Sequence, residues 1–470
     1  MTFSSRILGT ILRYEWLILV LVAVPMLFPR PEWTPLFLIL PLLWVLHWRR
    51  SGSPFPMTPF NLPLLLLALM LLVSLWATFS IEFSLDKISG LLFSLAVFFA
   101  VVRFADRKFG LATVGFLAGG VAIAVLALLG AEWARKVSFL NPIVELFPSR
   151  LENALGPEGR FHPNVLAGAI LWMLPLLLSL FVVKVFYSEK GIPYERKEVK
   201  WIWNTLIFIG FPFVCLIFLL TQSRGSWLAA ILVLPAVFLS LIQGRRKKIL
   251  IFIVLIITIG VAGTLFSAWL QSSSIQSFII GTSGAFSVDT LNGRLELWSR
   301  AIYGIQDFSF TGMGMNTFQK VVHILYPLFT IGPDANVYHA HNTYLQAALD
   351  LGIPGLIAFL SIQIGALAML VRTWRNRSVL PFSEPLSRAI ILGLIGGMVA
   401  SMLHGLVDAI IMTSKPGILW WYLLGLIAAL YKLQVTGDRY QVTGKAGDSG
   451  QQTVDSRQQI ANSGHQIADS

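Results

Sequence analysis

Twelve apolar stretches follow one another between Tyr14 and Leu433, at about 14–29, 33–47, 61–80, 88–104, 110–132, 164–186, 202–221, 226–243, 249–270, 345–371, 387–412 and 417–433. Most are near the ~20 residues an α-helix needs to cross the hydrocarbon core of a bilayer. In lipid the backbone must satisfy its own hydrogen bonds, so such stretches fold as helices. The expected fold class is all-α, a polytopic membrane protein of about 12 transmembrane helices. Composition agrees: 12% of the residues are charged, against roughly a quarter in a soluble domain. That excludes a water-soluble enzyme and a disordered or fibrous chain. The stretch 33–47 is short and rich in Pro and Trp, and with 14–29 it reads as a hairpin turning at RPEWTP. No A-x-A-like site follows the first stretch, so no cleavable signal peptide is expected. The single cysteine, Cys215, lies within an apolar stretch; it can form no internal disulfide and packs as a small apolar group.

The net charge of +12 reads as membrane topology, not as a nucleic-acid surface. An even number of spans puts both termini on one side. The termini and the connectors on that side hold 24 of the 35 Lys and Arg residues, and the opposite connectors hold 11. The positive-inside rule makes the richer side, with its KGIPYERKEVK, GRRKK and VRTWRNR connectors, cytoplasmic. The expected arrangement is therefore multi-pass, with cytoplasmic N- and C-termini. Two connectors on the outer side are long, 133–163 and 271–344. Long loops of this kind are more often functional than idle. Residues 1–435 read as the membrane domain, with the large loop 271–344 between the ninth and tenth spans. Residues 436–470 turn polar, with a near-repeat QVTGDRY and QVTGK, and read as a disordered cytoplasmic tail.

Candidate chemistry gathers on the outer side. Arg224 sits in TQSRGS, a connector of a few residues between apolar spans; it reads either as an interfacial arginine snorkelling to headgroups or as an anion site. Arg294, in Asn292-Gly293-Arg294, lies in the first turn of an expected helix. A cation there opposes the helix dipole and is easier to explain if it faces an anion. The glycines of GMGMNTF can bring backbone close to a ligand. In HAHN, His339 and His341 flank one residue, and Asn342 can cap the helix that follows. The H-x-H pair admits a general base, a metal site completed by unpatterned groups such as His323 or Asp334, or two exposed imidazoles. His404 and Asp408, four apart, would share a face of the eleventh span, as an orienting pair or as an interhelical polar contact. Two arginines with one imidazole suit an anionic donor and a hydroxyl that must lose a proton, and arginine's planar fork suits phosphate.

The ordered set TQSRGSWLA (221–229), NGRLELW (292–298), GMGMNTF (312–318) and HAHNTYLQAALDLGIPGL (339–356), with FHPN (161–164), resembles the bacterial O-antigen ligase/O-antigen polymerase superfamily. The resemblance covers about 160–430; the spans before that match in hydropathy alone. It implies a metal-independent glycosyltransferase without a cofactor. Its donor would be a glycan on undecaprenyl pyrophosphate, moved with inversion to a hydroxyl of a lipid, a growing glycan or a protein. Carried over by motif, Arg224 and Arg294 would hold the pyrophosphate and His341 would be the base. His339 would stand behind it or on the acceptor side, with Asn342, His404 and Asp408 as secondary candidates. Three activities fit: ligation onto lipid A-core, polymerisation of repeat units, and transfer to protein Ser/Thr. The competing class is a lipid-linked glycan transporter or flippase. Against it, the two halves show no internal repeat, and the polar residues gather at one face instead of the midplane.

Overall fold

A computed structural model describes residues 3–27, 31–131, 140–147, 162–187, 197–247, 291–332, 337–410 and 415–438, with isolated residues between them. Among these residues the regular structure is entirely helical. Short helices α1 (Phe3–Arg13), α2 (Glu15–Leu27) and α3 (Ile39–Ser51) come first, then α4 (Asn61–Ala77) and the long α5 (Ile81–Gly130). Helices α6 (Pro163–Phe186), α7 (Lys200–Leu220) and α8 (Arg224–Leu241) follow. The large loop contributes α9 (Leu291–Asp307) and α10 (Phe318–Leu325). The chain ends with α11 (Thr343–Arg375), α12 (Glu384–Gly405) and α13 (Ile418–Asp438).

Seven of these helices, α5 to α8 and α11 to α13, are long and apolar enough to cross a membrane. The expected number was twelve, and the difference has three sources. Helices α2 and α3 are 13 residues each, about 20 Å at 1.5 Å per residue, so neither spans ~30 Å of hydrocarbon alone. The expected turn between them is instead a 3₁₀ segment, Pro31–Leu38, with Pro35 inside it. Helix α4, at 17 residues, falls just short. The fourth and fifth expected spans are two helices that meet at Lys108, where the backbone leaves helical geometry (φ −140°, ψ 52°), and together they make up α5. The ninth stretch, 249–270, lies almost wholly outside the described residues, as do 271–290 and 439–470. Helix α13 runs three residues into the segment expected to be tail, with Gln434 fully buried.

The most deeply buried of the seven is α6, and α12 lies against it through glycines. A Cβ at Gly393 would come within 2.6 Å of Leu176 Cα, and one at Gly397 within 2.4 Å of Trp172 O. This small-xxx-small spacing lets two backbones approach closely in the absence of a hydrophobic drive between lipid-bathed helices. Polar contacts gather at one end of the bundle: Glu15 with His47 and Arg103, Lys432 with Asp106 at 2.7 Å, and Arg388 with the Ser240 carbonyl at 2.8 Å.

The loop region builds a second core from Leu297, Ala301, Met313, Phe318, Val322 and Ala340, joined by Leu349 of α11. Helix α11 breaks at Gly352 (φ 69°), where the sequence places Gly and Pro two residues apart. The bond from Ile353 N–H to the Leu349 carbonyl is replaced. Ile353 N–H donates to Ser309 O (2.7 Å), and Leu349 O accepts from Met313 N–H (2.7 Å). The loop is thereby fixed to the helix break, which positions everything that follows.

Candidate functional site

The loop re-enters the bundle through Val337–Asn342. Asn342 is extended (φ −156°, ψ 118°), and its Oδ1 accepts from Tyr344 N–H and Leu345 N–H, capping α11 as expected. Its Nδ2 donates to Leu406 O at 3.0 Å. Just before it, His341 has φ +46°, a left-handed conformation costing a β-carbon residue about 1–3 kcal/mol unless its surroundings impose it. Ala340, fully buried, anchors the loop core. The two imidazoles therefore emerge from either side of a fixed peptide, with ring centroids 4.3 Å apart.

Helix α12 ends at Gly405, and the chain leaves it in a tight turn. Asp408 N–H still donates to His404 O at 3.0 Å, so the two residues stay one turn apart at this helix end, as their spacing predicted. Glycine is a weak helix former, and the carbonyls freed at this end find other partners. Leu406 O accepts from Asn342, and Val407 O accepts from the Arg294 guanidinium. Thr343 Oγ1 donates to Asp408 O at 2.8 Å. A cation at the C-terminal end of a helix is also favoured by the helix dipole.

The turn aims the Asp408 carboxylate at the histidines. Asp408 Oδ1 lies 3.6 Å from His341 Nδ1 and 3.9 Å from His339 Nε2, with its side chain 4% exposed. The first of these separations is slightly longer than a hydrogen bond. Burial alone would raise the Asp408 carboxyl. The imidazoles of His341, His339 and His404 around it outweigh that and hold it well below the ordinary carboxylate range. His339 Nδ1 accepts the His341 backbone N–H at 3.2 Å, so that nitrogen carries no proton. Burial and the neighbouring His341 push the His339 imidazole down to about 3, and it stays neutral at working pH.

Arg224 opens α8. Its neighbour Gly225 packs on the same turn: a Cβ there would come within 2.6 Å of Val407 Cγ2. His162 caps α6 and acts electrostatically on His339, as does Lys87 of α5. The sequence-selected residues Arg294, His339, His341, Asn342, His404 and Asp408 thus converge on residues 404–408, where Gly225, the neighbour of Arg224, also packs. His323, in the last turn of α10, is outside the cluster, and Asp334 lies outside the described residues.

The glycines of GMGMNTF have a different use from the one expected. They let the loop meet protein instead of a ligand. Gly312 and Gly314 have positive φ, and a Cβ would fall 2.6 Å from Gly352 N and 2.5 Å from Thr78 Cα respectively. Met315 N–H donates to Ser74 Oγ, and Ser84 Oγ donates to Met315 O. Sequence reasoning also passed over Glu296. Its carboxylate accepts from the N–H groups of Phe329, Thr330 and Ile331 and pairs with Arg300. Its spacing four residues before Arg300, that of an i,i+4 ion pair, was the available signal.

His339, His341 and Asp408 offer ligand atoms within 4.8 Å of one another, a spacing that three metal ligands can have. The charges nearby oppose it. Lys87 acts on His339 and the Arg294 guanidinium acts on His404, and these positive charges disfavour a divalent ion there. The same cations suit an anionic substrate.

Residues 209–360 match the family model described as O-antigen ligase. The matched segment contains Arg224, Arg294, His339, His341 and Asn342, and the resemblance seen in the motifs holds there. His404 and Asp408 lie beyond it. No curated protein matches the chain. The described residues thus include seven helices long and apolar enough to cross a membrane, and residues 209–360 are similar to the O-antigen ligase family.

Proposed function

We propose that the protein is an inverting, metal-independent glycosyltransferase at the outer face of the bacterial cytoplasmic membrane. It moves a glycan from undecaprenyl pyrophosphate to an acceptor hydroxyl. The observation that carries this reading is the His341–Asp408 pair set beside Arg294 on one turn. The acceptor oxygen attacks the anomeric carbon from the face opposite the pyrophosphate. Its proton passes to His341 Nε2, the nitrogen turned away from Asp408. The bond from the anomeric carbon to the pyrophosphate oxygen breaks, and its electron pair leaves with undecaprenyl pyrophosphate. Arg224 and Arg294 hold the pyrophosphate and stabilise the leaving charge; one such donor is worth about 3–4 kcal/mol in sites of this type. Asp408 orients His341 and stabilises the imidazolium, as a carboxylate does behind other catalytic histidines.

Purified protein in proteoliposomes, supplied with lipid-linked donor and acceptor, tests this reading. Turnover should persist in excess chelator. Loss that one divalent metal restores would move His339, His341 and Asp408 to the metal reading. Deleting the gene separates the acceptors: free lipid-linked chains of normal length indicate ligation to a lipid acceptor, single repeat units indicate polymerisation, and unglycosylated protein indicates transfer to Ser/Thr. Vectorial movement of donor without covalent transfer would instead support a transporter.

A further inference from the structure

His341 holds an unfavourable backbone conformation, and the base reading requires its imidazole to stay in one place. The cap at Asn342 fixes the residue after it. The peptide before it is held by a chain of hydrogen bonds that the chemistry proposed above does not use. Ala340 N–H, between the two histidines, donates to Gln346 Oε1 at 2.9 Å. Gln346 Nε2 donates to Asp350 Oδ1 at 2.9 Å. The same oxygen accepts Asn316 N–H at 3.2 Å, from the loop seated on α4 and α5. Gln346 and Asp350 are one turn apart on α11, 2% and 0% exposed.

A primary amide satisfies both ends of this arrangement. The loop peptide presents a donor and the carboxylate presents an acceptor, so the residue between them must accept with one atom and donate with the other. Glutamine also has the length to reach back past the capping turn. Asp350 sets the flip of the amide: with Nε2 drawn to the carboxylate, Oε1 is left facing Ala340. The Asn316 contact ties the carboxylate to the Gly312–Thr317 loop, which is itself anchored on Ser74, Thr78 and Ser84.

We infer that Gln346 is a positioning residue for His341, oriented by Asp350, and that this pair transmits the seating of the 312–317 loop to the geometry of the base. The inference rests on the reading of His341 as the base. A misplacement near 1 Å in a reacting group costs on the order of 100-fold in rate, so Gln346→Ala should lower kcat by about 10- to 100-fold while donor affinity stays within twofold. Asp350→Asn keeps an oxygen where Oδ1 stands and should lower kcat by less than about fivefold.

A cycle with His341→Ala distinguishes positioning from general support of the fold. If Gln346 acts through the imidazole, Gln346→Ala should change the residual rate of His341→Ala by less than about twofold. An equal loss in both backgrounds, or unchanged kcat in the single variant, overturns the proposal. A His341→Ala variant of full activity would overturn the base reading itself, a separate result. Should Gln346→Ala fail to bind donor, Gln346→Glu serves in its place. It keeps size and the acceptor for Ala340 but sets a carboxylate against Asp350, and the same two outcomes are read from its cycle.

Discussion

Replacing Asp408 by Asn should slow transfer by about 1,000-fold. The carboxylate lies 3.6 Å from His341 Nδ1 and is 4% exposed, so solvent screens the pair little. Two unit charges at that separation interact by about 4–5 kcal/mol at an effective dielectric of 20, which is the stabilisation open to the imidazolium as it forms. Asp408 is held well below the ordinary carboxylate range, so the charge is present throughout the working pH range. Asparagine keeps the shape and removes the charge. Its amide can also donate to Nδ1, which shifts the imidazole proton onto Nε2, the nitrogen that has to accept one. Both effects act in the same direction, and a loss between 10² and 10⁴ matches what a general base contributes. Single-turnover transfer in proteoliposomes, measured beside retention of labelled donor, gives the rate and the binding separately. Donor retention should be unchanged. A variant transferring within threefold of the native rate would refute the pairing of Asp408 with the base.

Arg224→Ala should abolish transfer with membrane insertion intact, and Arg224→Lys should keep part of the activity, because a point charge cannot reproduce a bidentate contact; full activity of the alanine variant in proteoliposomes excludes the role. Glu296 should make the loop region acid-labile. Burial raises its carboxyl, but the three N–H groups of 329–331 and Arg300 together hold it lower. The stabilisation is therefore complete above the unfolded value of about 4.3 and is lost as pH falls below it. Hydrogen exchange in 291–332 should show this acid loss in the native protein, and Glu296→Gln should show weakened protection already at neutral pH.

The helical class and the capping role of Asn342 were legible because each depends on local chemistry. So was the membership of the candidate cluster. Arg294, His339, His341, His404 and Asp408 stood out as polar groups in apolar or loop contexts, and they meet at 404–408. Their arrangement was not legible. Periodicity placed His404 and Asp408 one turn apart, as they are, but could not register that side chains from distant segments take the carbonyls of Leu406 and Val407 in the turn after Gly405. The glycines of GMGMNTF announce close approach but not what approaches, and here it is Thr78 and Gly352. Hydropathy could not register the 3₁₀ segment at Pro31–Leu38, whereas the two stretches 88–104 and 110–132 do correspond to two helices that meet at Lys108. Gln346 and Asp350 carried a weak signal, two polar residues one turn apart on an apolar helix, whose partners lie in another part of the chain.

The central claim is that His341 takes the proton of the acceptor hydroxyl, and transfer by His341→Ala in proteoliposomes tests it most directly. The variant should retain labelled donor at the native level and transfer the glycan at least ~100-fold more slowly, the low end expected for losing a general base. His339→Ala should lose less, because His339 supports the His341 backbone through Nδ1 and does not itself receive the proton. Native transfer by His341→Ala, or equal losses in the two variants, would contradict the assignment.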